Sequence, residues 1–262
     1  LEESQNRMKQ LPVQTRLRIR AKRQLDEDQA FMNDLVNQII DAKTGEKRPV
    51  EPRPIRDLKL KQQNVDVIIV GAGPSGLICA HDLATMGFRT LLIEQSLALG
   101  GGFWSGGYLM NKATICEPAN EILEEVGVPC KKIKECEGMY MVDPPHATSA
   151  LIAAAYKAGA KIMNLTRVVD LILRNDSSLE GVVVNSTTVE MAGHDMIHVD
   201  PIALESKIVV DATGHDAVLV ELLHKRNLYK KVPGNGAMWV ARSEEEVMDR
   251  TGEVFPNCFV IG

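Results

Sequence analysis

The sequence predicts a Rossmann-like α/β fold with a central parallel sheet, of the FAD- or NAD-binding, glutathione-reductase type, and three observations predict it. An apolar, β-branched run at 65–70 closes on Gly71, Gly73 and Gly76. That Gly-x-Gly-x-x-Gly spacing makes a turn that lets backbone approach a pyrophosphate and then opens a helix at the phosphate. Helical apolar spacing at 77–84 is followed by a second strand at 90–93 ending on Glu94. This acid lies roughly 20 residues past the glycines, where a carboxylate accepts hydrogen bonds from ribose hydroxyls. A later apolar run, 206–210, ends in Asp211-Ala212-Thr213-Gly214. That turn sets backbone against a dinucleotide, on the same sheet edge as the first.

Bulk properties narrow the class. With 262 residues and 45% hydrophobic content, the chain buries a full core and suits one large domain, 61–262, preceded by an arm over 1–60. A net charge of -5 gives no reason to expect nucleic acid as a partner. Five cysteines without a paired spacing argue against a disulfide framework and a structural zinc site, and favour a reducing, cytoplasmic setting. No apolar run approaches the roughly 18 residues a membrane span needs. A 2′-phosphate would be repelled by Glu94, so NAD or FAD is favoured over NADP.

In chain order, Arg16, Arg18, Arg20, Lys22 and Arg23 precede Asp26, Glu27 and Asp28, a sign reversal typical of a solvated arm. Pro49, Pro52 and Pro54 stiffen the linker that follows. After Glu94, residues 100–107 carry five glycines around Phe103 and Trp104. Such a segment reads as a loop whose amides close over a ligand. A helix at 117–126, a strand at 139–142, an Ala-rich helix at 147–158 and a strand at 161–165 come next. Runs at 168–173 and 181–184 make a hairpin, part of a three-strand excursion across the back of the sheet. Residues 191–201 hold His194, Asp195, His198 and Asp200 before Pro201, and read as a loop. His215 follows the second turn and points to the crevice. One imidazole and one carboxylate such as Asp200 suit Fe(II) or Mn(II) better than a closed zinc site. A helix at 219–228, strands at 236–240 and 258–262 and a short acidic helix at 243–247 complete the chain. The last strand stops with no covering element, the mark of a fragment.

Gly71 to Gly76, Glu94, the Gly100-to-Trp104 loop, His198-Val199-Asp200-Pro201 and Asp211 to His215 together resemble the thiamine thiazole synthase family in its archaeal form. The resemblance implies that NAD is a substrate: it loses nicotinamide, and its ADP-ribose condenses with glycine and sulfur to give an adenylated thiazole carboxylate. In the self-sacrificing branch of the family a cysteine stands at the position of His198 and gives up its sulfur. The histidine implies the branch that takes sulfide with Fe(II) and turns over repeatedly. By the same resemblance Asp200 and His215 match the iron ligands, with His198, Asp200 and His215 as the catalytic set. The nucleotide falls to Gly71, Gly73, Ser75, Gly76, Glu94, Gln95, Gly102, Val168, His198, Val199 and Asp200. The loop from His198 to Asp200 lies across a subunit boundary of a homo-octamer, and the family's Arg-Met-Gly segment is expected beyond Gly262. Rival readings are a FAD-dependent oxidoreductase, a relative labelled ribose 1,5-bisphosphate isomerase, and an NAD-binding module without catalysis.

Overall fold

The computed structural model describes residues 65–106, 111–175, 177–192, 199–230, 246–247 and 249–262. The arm over 1–60, the strand expected at 236–240, Gly107, His194, Asp195 and His198 lie outside them, as does most of the helix expected at 243–247. The described residues form two compact units, one of 65–101 with 152–262 and one of 102–151.

The larger unit is built on strand β1 (Val65–Val70), whose apolar run is buried at every residue but the first. Burial on both faces is what a central parallel strand requires. Its neighbours are β2 (Thr90–Ile93) and β9 (Ile202–Asp211), both parallel to it. The short strands β6 (Lys161–Met163) and β11 (Cys258–Val260) extend the sheet in parallel beyond β2 and β9. An antiparallel strand, β10 (Gly252–Phe255), closes the edge at β11. Helix α1 (Pro74–Thr85) packs on β1 and β2, burying Leu77, Cys79, Ala80 and Leu83. Ile68, Val70, Leu91, Ile93 and Val209 form the opposite core with hairpin β7 (Thr166–Arg174) and β8 (Ser178–Ser186). Alternate side chains of a strand reach opposite faces, so one run serves both cores.

β9 belongs to two layers. Its first residues, Ile202 to Glu205, pair antiparallel with β8, and from Ser206 onward it pairs with β1. The hairpin expected at 168–173 and 181–184 is β7 and β8, and its third strand is the start of β9; the strand expected at 161–165 is instead β6 of the central sheet, so the excursion does not include it. A short helix, α4 (Thr187–Ala192), follows β8. Helix α5 (Val218–Lys225) covers β7 and β9 with Leu219 and Leu223, both fully buried. At the far edge of β1, the buried Asp66 accepts two hydrogen bonds from the Arg89 guanidinium, at 3.0 Å each, and one from the Arg89 amide at 3.1 Å. This clamp fixes the register of β1 against β2.

The smaller unit carries a three-stranded antiparallel sheet, β3 (Ala113–Cys116), β5 (Met139–Val142) and β4 (Lys131–Lys132), with helix α2 (Ala119–Glu125) on β3. Helix α3 (Pro144–Ala158) runs on from it into the larger unit. It starts three residues earlier than its apolar spacing predicts. Prolines are tolerated in a first turn, and Asp143 Oδ1 accepts the His146 amide there at 3.1 Å. No described helix is long and apolar enough to cross a membrane.

Candidate functional site

Four parallel strands of the larger unit, β2, β1, β9 and β11, end at one edge, and the backbone stitches their ends together. The Gly71 amide donates to Ile93 O at 2.8 Å, the Ala212 amide to Val70 O at 2.8 Å and the Ile261 amide to Asp211 O at 3.0 Å. Ligands bind at this edge in open α/β sheets.

The glycines of the first turn play separate parts. Gly71 has φ +101°, and a Cβ there would lie 2.4 Å from the Ala212 carbonyl oxygen. A Cβ at Gly76 would meet Gly71 O at 2.0 Å, so the helix sits hard against the strand end. A Cβ at Gly73 would meet no protein atom within 4 Å. Gly73 is the N-cap of α1, no side chain caps the helix, and Pro74 opens it. The amides of Ser75 and Gly76 thus stand in a first turn that faces open space. A helix N-terminus of this form attracts an anion through its unpaired N–H groups and its dipole.

Glu94 is buried and braces this turn. Its Oε2 accepts the Ala72 amide at 2.9 Å, and its Oε1 accepts the Ser96 amide at 2.7 Å. Each oxygen keeps a further lone pair, so ribose binding and bracing are compatible. Gln95 is exposed; its side-chain oxygen accepts from Arg167 Nε at 3.3 Å and its carbonyl from the Thr187 hydroxyl at 2.7 Å. The Val168 side chain lies in the core, leaving only its backbone for a ligand. The Gly100 amide donates to Ala72 O at 2.6 Å, which ties the first residue of the Gly-rich loop to the first turn. The loop contains one 3-10 turn, Gly101–Ser105, and Gly102 has open space where a side chain would be.

The second turn holds a buried carboxylate whose part is not visible in the sequence. Asp211 is 1% exposed. Burial pushes its carboxyl above the ordinary value, against the pull of hydrogen bonds from the Thr213 hydroxyl and amide and from the Leu219 and Val220 amides. The available signal was an acid closing an apolar strand a few residues before a helix, a capping arrangement at unusual spacing. His215 lies on the 3-10 turn Gly214–Asp216 and is exposed. Asp216, with Arg167, Glu190, Glu221 and Lys225, lines a polar cleft of about 320 Å³ beside α5.

Asp200 and Val199 are also exposed, just before β9. His215 comes just after it. A ten-residue strand reaches roughly 30 Å, so one chain does not bring Asp200 and His215 together. Among the described residues neither side chain has a hydrogen-bond or ion-pair partner. They offer one oxygen and one nitrogen donor, atom types that suit a divalent iron.

Comparison with known proteins gives these features a family. The family model described as Thi4 matches residues 52–262. A thiamine thiazole synthase of Pyrococcus horikoshii is 41% identical over 207 residues, covering 79% of this chain and 79% of that protein. One from Aeropyrum pernix is 46% identical over 202 residues, covering 77% of this chain and 73% of that protein. The crystal structure of Thermovibrio ammonificans THI4 superposes with a TM-score of 0.72 at 37% identity, over 79% of this chain and 80% of that one. The same parallel sheet, glycine turn and second turn accompany a match over most of the sequence, and the chain belongs to the Thi4 family.

Proposed function

We propose that this chain is a thiamine thiazole synthase that converts NAD, glycine and sulfide to ADP-thiazole carboxylate with Fe(II), repeatedly rather than once. The observation that carries this reading is the first turn: a helix N-terminus left uncapped by side chains, with open space above Gly73, in a chain of the Thi4 family. The turn grips the diphosphate of a nucleotide that is consumed, while Glu94 holds the turn and the ribose beside it. Reaction at the ribose end needs the adenosine diphosphate half to stay still.

The sulfur source follows from His198. An imidazole has no sulfur to give, so sulfide enters from solution and the protein survives each cycle. Asp200 and His215 hold the metal, one carboxylate oxygen and one imidazole nitrogen. Fe(II), when bound, supplies Lewis acidity and a template for substrate and nucleophile. The separation of Asp200 and His215 by the length of β9 supports a site shared between chains, as in a homo-octamer, with Asp200 reaching the neighbour's His215. Closed symmetric assemblies commonly place such shared sites at their interfaces.

Anaerobic incubation with NAD, glycine, sulfide and Fe(II), followed by mass analysis of nucleotides, tests the reading. More than one adenylated thiazole per chain is expected, dropping at least 100-fold in Asp200→Ala or His215→Ala, a loss in the range of a removed metal-held transition-state contact. Full activity in either variant overturns the metal assignment. A yellow protein with flavin absorption and no thiazole product overturns the whole reading.

A further inference from the structure

The turn that carries His215 is tied at both ends to one buried side chain. Asp211 Oδ1 accepts the Thr213 amide at 3.1 Å and the Thr213 hydroxyl at 2.6 Å. Its Oδ2 accepts the amides of Leu219 at 2.8 Å and Val220 at 3.4 Å. The Thr213 hydroxyl oxygen in turn accepts the Val218 amide at 2.9 Å. Residues 213 to 218 therefore form a loop whose entry and exit converge on a single carboxylate. Within it Gly214 and Ala217 both have left-handed backbone, φ +66° and +40°. A left-handed alanine is sterically costly and persists only where its surroundings over-determine it. His215 rides on this strained turn, exposed, with no side-chain partner of its own among the described residues.

A ligand side chain with no second hydrogen bond must be oriented by its backbone. We propose that Asp211 is the positioning residue for His215, acting through Thr213 and the first turn of α5 to hold the imidazole in a metal-ready orientation. This rests on the reading of His215 as a metal ligand. Asp211 itself touches no metal. Its part is to remove, before binding, the conformational freedom that an unbraced turn would lose on binding. Partners that orient metal ligands typically account for 10- to 100-fold in affinity.

The test is titration of the full chain with Co(II), an absorbing stand-in for Fe(II), well below the unfolding temperature and with circular dichroism to verify the fold. Thr213→Val removes the hydroxyl at constant shape, and Thr213→Ser restores it. Asp211→Asn keeps the volume and removes one acceptor oxygen. Asp211→Asn and Thr213→Val are expected to weaken Co(II) binding about tenfold or more, whereas Thr213→Ser binds as the wild type does. If Asp211→Asn does not fold, Thr213→Val against Thr213→Ser decides. Wild-type affinity in Asp211→Asn and Thr213→Val, with Co(II) lost in His215→Ala, overturns the positioning role and leaves the metal reading standing. Equal losses in Thr213→Ser and Thr213→Val overturn it too, because the hydroxyl is then irrelevant. Wild-type Co(II) binding by His215→Ala removes the metal reading, and the positioning role with it.

Discussion

At Gly71 an added methyl group would come within 2.4 Å of the Ala212 carbonyl oxygen, and at Gly76 within 2.0 Å of Gly71 O, while at Gly73 it would meet nothing. Alanine scanning should therefore separate folding from binding. Gly71→Ala and Gly76→Ala are expected to lose several kcal/mol of stability, since overpacking and backbone strain add. Gly73→Ala should unfold within about 0.5 kcal/mol of the wild type, yet bind NAD at least tenfold more weakly by calorimetry. Stability loss in Gly73→Ala equal to that in Gly71→Ala would refute this division. Arg89 supplies a second residue-scale case, because its removal takes two hydrogen bonds and a counter-charge from the buried Asp66. Arg89→Ala should cost about 3 kcal/mol in urea unfolding, the range for breaking a buried ion pair. The glycine spacing was readable in the sequence because each glycine answers a local demand. The Asp66–Arg89 clamp was not, because it joins positions 23 residues apart that only the sheet register brings together. Asp211 escaped for a related reason: it caps a helix that begins seven residues later.

Elements with a clear apolar run were legible, down to the four residues of β5, and three strands without one were not. β1, β2 and the second half of β9 are buried on both faces, so their sequences read as near-continuous apolar runs. β3, β4 and β10 have four, two and four residues with mixed exposure, which leaves no periodicity to read. The Thr187–Ala192 helix begins with two threonines and a valine in its first three residues, residue types that favour strands. Packing of α5 on β7 adds one further ion pair, Arg226 with Asp170. Burial raises the Asp170 carboxyl, but the Arg226 guanidinium and the Leu171 amide outweigh it, and the folded pKa lies below the ordinary 3.8. A depressed folded pKa contributes stability above the unfolded value and loses it as pH falls through the folded value. The stability gap between the wild type and Asp170→Asn should thus be present at about pH 6 and be smaller at about pH 3, below the ordinary value. Urea titrations at both pH values measure it, and a gap independent of pH would exclude the ion pair as its cause.

At the scale of the whole molecule, β9 decides how many chains a working site needs. If Asp200 of one chain serves His215 of another, inactive Asp200→Ala and inactive His215→Ala proteins should complement each other when unfolded together and refolded. Random mixing of two subunit types leaves roughly a quarter of such shared sites intact, and product formation should return to about that fraction. No recovery after verified mixing would exclude a site shared between chains. The cysteines carry a different message about the same sheet. Cys79 and Cys258 are buried in the larger unit, where burial pushes the Cys79 thiol up to about 12 and raises Cys258 as well, with Asp211 and Glu253 adding to it. Cys116 is exposed, and Cys130 and Cys136 are half-buried. Alkylating reagents attack the thiolate, so the chain contains a clock with three hands. Cys116 and Cys136 are expected to label at once, Cys130 more slowly because burial and Glu124 raise its thiol, and the other two only as fast as the parallel sheet opens to solvent.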